Sequence, residues 1–291
     1  MPGKGIRAAL VGLLGAAIGG FMVAAEISSA PIQVVVSILP QKYFVERVGG
    51  SHVAVEVLVA KGQEPHTYEP TPKQVAHLAE AQVYFRIGFP FEETLISKIS
   101  DAFRNLKIVD TRQGIKLRTE NEPGGTAGAP DPHIWLDPKL VKIQARNIET
   151  ALAQLDPAHA AEYEKNLRDF QADLDRLDTE LAATLTPFKG REFFVFHPAF
   201  GYFGDAYGLK QVPVEVGGKE PSAKELTALI EHAQKDGVKV IFVEPQFSPK
   251  SAQAVADAIG GAVVPLDPLN PDYIHNLENF AARFQQALGK H

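Results

Sequence analysis

Three histidines and one aspartate stand where the sequence could place metal ligands. His66 follows the second predicted strand, His133 precedes a predicted helix, and His197 and Asp267 each come directly after a predicted strand. In open parallel sheets, ligands bind beyond the carboxyl ends of the strands. Three neutral imidazoles and one carboxylate form a tetrahedral set suited to Zn²⁺, whereas Mn²⁺ favours more oxygen ligands. These residues therefore indicate a metal site, with zinc as the expected ion.

Three further acids lie close to the proposed ligands along the chain. Glu64 and Glu244 are alternatives to Asp267 as the fourth ligand, and both, together with Asp131, are candidate acceptors for the second ring N–H of a ligand histidine. Taken singly, each residue also has a simpler interpretation, because a histidine beside a proline is commonly a surface residue and an aspartate before a proline is typical of a turn. The remaining histidines receive no role: His52, His77, His159, His232, His275 and His291.

A site of four protein ligands leaves no position for an activated water, so it suits a protein that carries metal and not a hydrolase. We therefore expect no catalytic residue, no catalytic cofactor and no enzyme activity. The alternative is a zinc hydrolase in which water replaces one ligand and Glu64 or Glu244 acts as the base.

The elements that must position these residues alternate between strands and helices. This alternation predicts parallel sheets with helices on their faces. The expected fold class is α/β, with two lobes, each with a mostly parallel four-stranded sheet flanked by helices. The predicted strands are 32–39, 53–59, 83–87 and 107–109 in the first lobe, and 192–196, 211–216, 238–243 and 262–266 in the second.

One long helix is predicted between the two lobes. Asp156 and Pro157 suit its N-cap and first helical position, and apolar residues recur at spacings of three and four as far as Leu185. A stiff helix of this length should touch both lobes. We therefore expect an N-terminal lobe at 31–155, a linking helix at 156–188 and a C-terminal lobe at 189–291.

The first thirty residues read as a secretory signal peptide. Lys4 and Arg7 precede an apolar run, and small residues follow at two possible cleavage points, Ala25 and Ala30. A retained membrane anchor is the alternative. The chain has no cysteine, which excludes disulfides and a lipid-modified cysteine, so we expect a periplasmic protein without a membrane anchor after processing. The net charge of −6 argues against nucleic acid as a partner, and we expect a monomer.

Five segments resemble the periplasmic zinc-binding solute-binding proteins of ABC transporters, a group that also contains manganese-binding lipoproteins. These segments begin at Glu64, Asp131, His197, Glu220 and Glu244, with the sequences EPHTYEPTP, DPHIWLDP, HPAFGYF, EPS and EPQFS. The resemblance implies two α/β lobes joined by a long rigid helix, with His66, His133, His197 and Asp267 binding one metal. A histidine at the third position resembles the zinc-binding members, where the manganese-binding members have glutamate.

The resemblance also implies capture of zinc and its delivery to a membrane permease. No Gly-x-x-x-x-Gly-Lys-[Ser/Thr] motif occurs, so a separate ATPase must supply the energy. The segment 119–130 is expected to be a mobile surface loop, and it lacks the histidines that many zinc-binding members carry there. A manganese-binding transport protein and a metal-dependent adhesin of the same fold are the alternatives.

Overall fold

The computed structural model describes Met1, Gly3, residues 30–119 and residues 128–289. The first sheet contains β1 Ile32–Val36, β2 Val53–Val57, β3 Val83–Arg86 and β4 Lys107–Asp110, with α1 Leu39–Gly49, α2 Pro72–Glu80 and α3 Pro90–Ile99 between them. The second contains β5 Glu192–Val195, β6 Lys210–Pro213, β7 Val240–Val243 and β8 Ala262–Pro265, with α6 Gly201–Tyr207, α7 Ala223–Lys235 and α8 Lys250–Ala258. Between the sheets lie α4 Pro138–Leu155 and α5 Ala160–Leu185, and α9 Tyr273–Leu288 follows β8.

Both sheets have the same topology. The strand orders are β2-β1-β3-β4 and β6-β5-β7-β8, and every pairing of neighbouring strands is parallel. This confirms the predicted α/β fold with two four-stranded parallel sheets. Because all strands of a sheet point the same way, residues that follow different strands meet at one edge, where such sheets bind ligands.

The apolar core is shared between the two halves of the chain. Phe44 of α1 packs against Phe170 of α5 at a ring distance of 5.9 Å and edge-on against Tyr273 of α9 at 4.9 Å. The last helix therefore packs on the first lobe as well as on the second. The chain from Pro31 onward forms one compact unit, so the lobe boundaries proposed from the sequence stay predictions.

Helix α5 lies between the two sheets and buries one face. Its buried residues are those of the predicted stripe: Tyr163, Leu167, Phe170, Leu174, Leu177, Leu181 and Leu185. It has 26 residues, which makes it about 39 Å long. The helix begins later than expected, because Pro157–His159 forms a 3₁₀ turn. Asp156 is the N-cap of this turn but makes no side-chain capping hydrogen bond; its carboxylate instead accepts a hydrogen bond of 2.8 Å from the Tyr163 hydroxyl.

Side chains cap the first turns of α2, α4 and α7. Thr71 and Gln74 form a capping box at α2, and Ser222 and Glu225 form another at α7. The Asp137 carboxylate accepts the Lys139 N–H at 2.8 Å and caps α4. These caps satisfy backbone N–H groups that a helix leaves without partners in its first turn.

Two expectations concern segments that the structure does not describe. The proposed signal peptide lies outside the described residues, apart from Met1, Gly3 and Ala30. The expected surface loop does so over 120–127, although Thr119 and Pro130 at its ends form an antiparallel bridge. Within the described ranges, no helix has the length and apolar character needed to cross a membrane.

Candidate metal centre

Three imidazoles converge on one point between the two sheets. The Nε2 atom of His133 lies 3.2 Å from Nε2 of His66 and 3.3 Å from Nε2 of His197. Tetrahedral zinc with Zn–N bonds of 2.0–2.1 Å separates its donor atoms by about 3.3–3.4 Å. The ring nitrogens are therefore already spaced as the edges of a zinc tetrahedron.

His66 comes from the loop between β2 and α2. The Glu64 carboxylate accepts the backbone N–H of His66 at 2.6 Å and that of Thr67 at 2.7 Å, which fixes the turn. The Tyr68 hydroxyl donates to the carbonyl of Leu58 at 2.6 Å and ties the loop back to the end of the strand. The ring of Phe89 packs edge-on against the His66 ring at 5.1 Å. The loop is thus anchored at both the backbone and the ring.

His133 lies directly before a short 3₁₀ turn that leads into α4. Asp131 accepts two hydrogen bonds with the same oxygen, 2.9 Å from the backbone N–H of His133 and 2.8 Å from its Nδ1. This confirms the predicted pairing of Asp131 with a histidine ring, that of His133, and it leaves Nε2 free for a metal. Burial by itself raises the pKa of Asp131, but the hydrogen bonds from His133 and the charge of Arg118 outweigh it and leave that pKa lowered.

His197 follows β5, the strand that lies between β6 and β7. Its Nδ1 lies 2.7 Å from Oε1 of Glu215, which follows β6, and its backbone N–H donates to Oε2 of Glu244 at 3.1 Å. Glu244 directly follows β7. The Phe247 ring stacks on the His197 ring at 4.9 Å and 24°. Each neighbouring strand therefore supplies an acid, one for the ring of His197 and one for its backbone.

The protonation states favour metal binding. Burial lowers the pKa of His66 well below its ordinary value, and the neighbouring His133 lowers it further. The same two causes lower the pKa of His197 to about 3. Burial raises the pKa of the Glu215 carboxyl to about 7 and that of Glu244 well above its usual range. The two histidines are therefore neutral near pH 7, as metal ligands must be.

Asp267 is not among the side chains that the structure brings together. Within the described residues, His66, His133 and His197 offer donor atoms within 4.8 Å of one another, and Asp267 does not join this group. Its Oδ1 accepts hydrogen bonds of 3.0 Å from the Gln246 amide and from the backbone N–H of Leu269. Gln246 and Leu269 both line the cavity at the three imidazoles. The carboxylate thus lies behind the cavity wall.

The two acids considered as substitutes for Asp267 also have other contacts. Both oxygens of Glu64 accept hydrogen bonds from the turn at His66 and Thr67. Glu244 is fully buried, and within the described part of the chain its Oε1 has no hydrogen-bond partner. Both acids were predicted to accept a ring N–H of a histidine, but among the described residues neither does so. They hold the backbone of His66 and His197 instead.

Glu215 was missed at the level of sequence. The predicted strand 211–216 placed it inside a strand, whereas β6 ends at Pro213 and leaves Glu215 beyond the strand. An acid just past the end of a strand that neighbours the His197 strand is the signal that could have identified it. Ending the predicted strand at Pro213 would have placed Glu215 beyond the strand, where such an acid is a candidate.

Two lobes of parallel sheet with three converging imidazoles define a metal-binding protein of the solute-binding class. The family described as zinc-uptake complex component A, periplasmic (ZnuA), matches residues 34–287. The high-affinity zinc uptake system protein ZnuA of Bacillus subtilis strain 168 is 32% identical over 250 residues, which cover 82% of this chain and 78% of that protein.

Solved structures of similar proteins agree with this match. A crystal structure of ZnuA superposes with a TM-score of 0.85 at 45% identity, covering 89% of this chain and 99% of the other. A ZnuA deletion mutant lacking 138–173, with zinc bound, has a TM-score of 0.83 at 46% identity, with coverages of 89% and 98%. The chain belongs to the ZnuA family of periplasmic zinc-uptake components. That family consists of solute-binding proteins and is not a family of enzymes.

Proposed function

We propose that this protein captures Zn²⁺ in the periplasm with His66, His133 and His197 and delivers it to an ABC-type permease that has its own ATPase. The observation that carries the proposal is the spacing of the three Nε2 atoms, at 3.2 and 3.3 Å. Zinc is the cargo of the site. The names of the family and of its relatives support the direction of transport.

The ligand chemistry favours zinc over manganese. Imidazole nitrogens suit Zn²⁺, whereas Mn²⁺ takes carboxylate, carbonyl and water oxygens more readily. Asp267 stays our proposed fourth ligand. To reach the ion, the Asp267 carboxylate must give up its hydrogen bond from the Gln246 side chain, which is 3.0 Å long.

Metal analysis of protein purified without added metal tests the proposal. We expect about one equivalent of zinc, because one ion satisfies all three rings, and we expect His66→Ala, His133→Ala and His197→Ala each to lose most of it. His275→Ala is the matched control, because His275 is exposed and pairs only with Asp272. Full zinc content in all three ligand variants would contradict the proposed site.

Two further variants separate the finer proposals. His197→Glu should weaken zinc relative to manganese, because it exchanges a nitrogen donor for oxygen. Asp267→Asn should lower zinc affinity if the carboxylate binds the ion. An affinity equal to that of the wild type would assign the fourth position to another donor, while the three-histidine site would stand.

A further inference from the structure

A second group of metal-binding side chains lies away from the three-histidine centre. His52, Asp156 and His159 offer donor atoms within 4.8 Å of one another. His52 ends the 3₁₀ turn Gly50–His52 at the amino end of β2, whereas the three-histidine centre lies at the carboxyl ends of the strands. The two groups therefore lie at opposite ends of the first sheet.

Acids flank both imidazoles of this group. The rings of His52 and His159 stack at 3.9 Å and 22°. Nε2 of His52 lies 3.0 Å from Oε2 of Glu162, and Nδ1 of His159 lies 2.5 Å from Oδ2 of Asp156. The Tyr163 hydroxyl donates to the same Asp156 oxygen at 2.8 Å and holds that carboxylate in place. Two imidazoles and the Asp156 carboxylate thus meet at one half-buried spot, and the exposed Glu162 carboxylate contacts the ring of His52.

We propose that His52, Asp156, His159 and Glu162 form a second site for a divalent transition metal such as Zn²⁺. Two imidazoles with two carboxylates are a donor set that zinc accepts, and the two negative charges neutralise the ion. The four residues come from two chain segments more than a hundred positions apart. A bound ion would therefore link the turn before β2 to the start of α5.

This site differs from the three-histidine centre in how far its donors have converged. Donors around tetrahedral zinc lie about 3.3–3.6 Å apart. The donor atoms of His52, Asp156 and His159 lie within 4.8 Å of one another, so they must approach by at most about 1.5 Å. Stacked rings do not aim their in-plane lone pairs at one point, so one ring must turn about its soft χ2 torsion. His52 and His159 are 22% and 29% exposed, which gives them room to turn. The second site should bind zinc more weakly than the first.

A rival group lies on the second lobe. Nε2 of His232 is 2.8 Å from Glu192 and 3.0 Å from Asp236. It offers a single imidazole, and all three of its side chains are more exposed than Asp156. Since zinc favours nitrogen donors more strongly than oxygen, we assign the second site to the pair of imidazoles.

Calorimetric titration with Zn²⁺ alone tests the proposal in two preparations. One is the His66→Ala/His133→Ala/His197→Ala variant, and the other is wild-type protein already loaded with one equivalent, which keeps the test valid if the triple variant does not fold. We expect the triple variant to bind one equivalent of Zn²⁺ and the loaded wild-type protein to bind one equivalent more. His52→Gln and His159→Gln should each weaken it by about tenfold or more, because each removes a nitrogen donor.

Two control variants make the titration specific. His77→Gln should leave the weaker binding unchanged, because among the described residues the one acidic partner of His77 is Glu56, at 2.8 Å. The proposal is overturned if no further equivalent binds, or if His52→Gln and His159→Gln bind it as well as their parent. It is also overturned if only His232→Gln abolishes the binding, since the ion would then belong to the rival group.

Discussion

At the scale of single residues, the ring of His197 depends on the acid behind it. Glu215 lies 2.7 Å from Nδ1 of His197, so the ring presents Nε2 to the metal. An acceptor at this position fixes the tautomer and makes the ring a stronger donor. Glu215 contacts the ring of His197, so in the proposed site its effect on zinc would pass through His197.

This arrangement predicts a pH dependence that Glu215 controls. Burial raises the pKa of Glu215 to about 7, so the carboxylate that favours zinc is present above pH 7 and is lost by protonation as the pH falls. Glu215→Gln should therefore weaken zinc by about 10- to 100-fold at pH 8 and by much less at pH 5. Competition with a chromogenic zinc chelator at both pH values measures the two ratios.

The matched control for this prediction is Glu231→Gln, an exposed acid of α7. It should leave zinc affinity unchanged at both pH values. A ratio between wild type and Glu215→Gln that stays the same from pH 8 to pH 5 would contradict a role for the ionised carboxylate.

At the scale of elements, α5 is the helix against which both halves pack. Its apolar stripe meets α1 of the first lobe through Phe170 and continues to Leu185, and helices α6 and α9 of the second half also contact α5. Near the middle of α5, Arg47 of α1 pairs with Asp173 at 2.6 Å. The stripe is fully buried, so its contribution to stability comes from apolar contact over the whole length of the helix.

Shortening one side chain of this stripe should destabilise the whole protein. Leu174 is fully buried in the middle of α5, and Leu174→Ala should lower the free energy of unfolding by about 2–5 kcal/mol because it leaves a cavity. Urea denaturation of metal-free protein measures the change. Glu180→Ala, at an exposed position of the same helix, should change it by about 0.5 kcal/mol or less. If Leu174→Ala lowered the free energy of unfolding no more than Glu180→Ala, the buried face of α5 would not be a main source of stability.

At the scale of the whole molecule, hydrogen bonds join the lobes on both sides of the metal centre. The Trp135 indole N–H donates to the carbonyl of Pro268 at 2.8 Å, and the Tyr273 hydroxyl donates to the carbonyl of Trp135 at 2.7 Å. On the other side, the Tyr202 hydroxyl accepts the backbone N–H of Arg118 at 2.8 Å and donates to the carbonyl of Asp131 at 3.0 Å. Together with α5, these contacts oppose a wide opening of the lobes.

We therefore expect zinc to move the lobes very little. Because the chain has no cysteine, spin labels can be attached at Lys73→Cys on α2 and Lys224→Cys on α7 without background. The distance between the labels, measured by pulsed electron resonance with and without zinc, should change by less than about 2 Å. A change of about 5 Å or more, as in hinge closure, would contradict the rigid arrangement. Labels at Lys73 and Lys98, both on the first lobe, provide the control.

The sequence alone determined the fold class and pointed to the three histidines of the candidate metal centre. Alternating strands and helices indicate parallel sheets. His66 and His197 both follow strands, so each lies at the carboxyl edge of its sheet. His133 was the third candidate because it directly precedes a predicted helix. These inferences use only local order along the chain.

Only the tertiary structure decided that Glu215 supports the ring of His197 and that Asp267 stays apart from the three rings. Glu215 reaches His197 because β6 pairs with β5, and Asp267 is held by Gln246 from the end of the neighbouring strand β7. The stacking of His52 on His159 likewise joins segments more than a hundred residues apart. Contacts of this kind depend on strand order, strand ends and side-chain packing, which local sequence patterns do not contain.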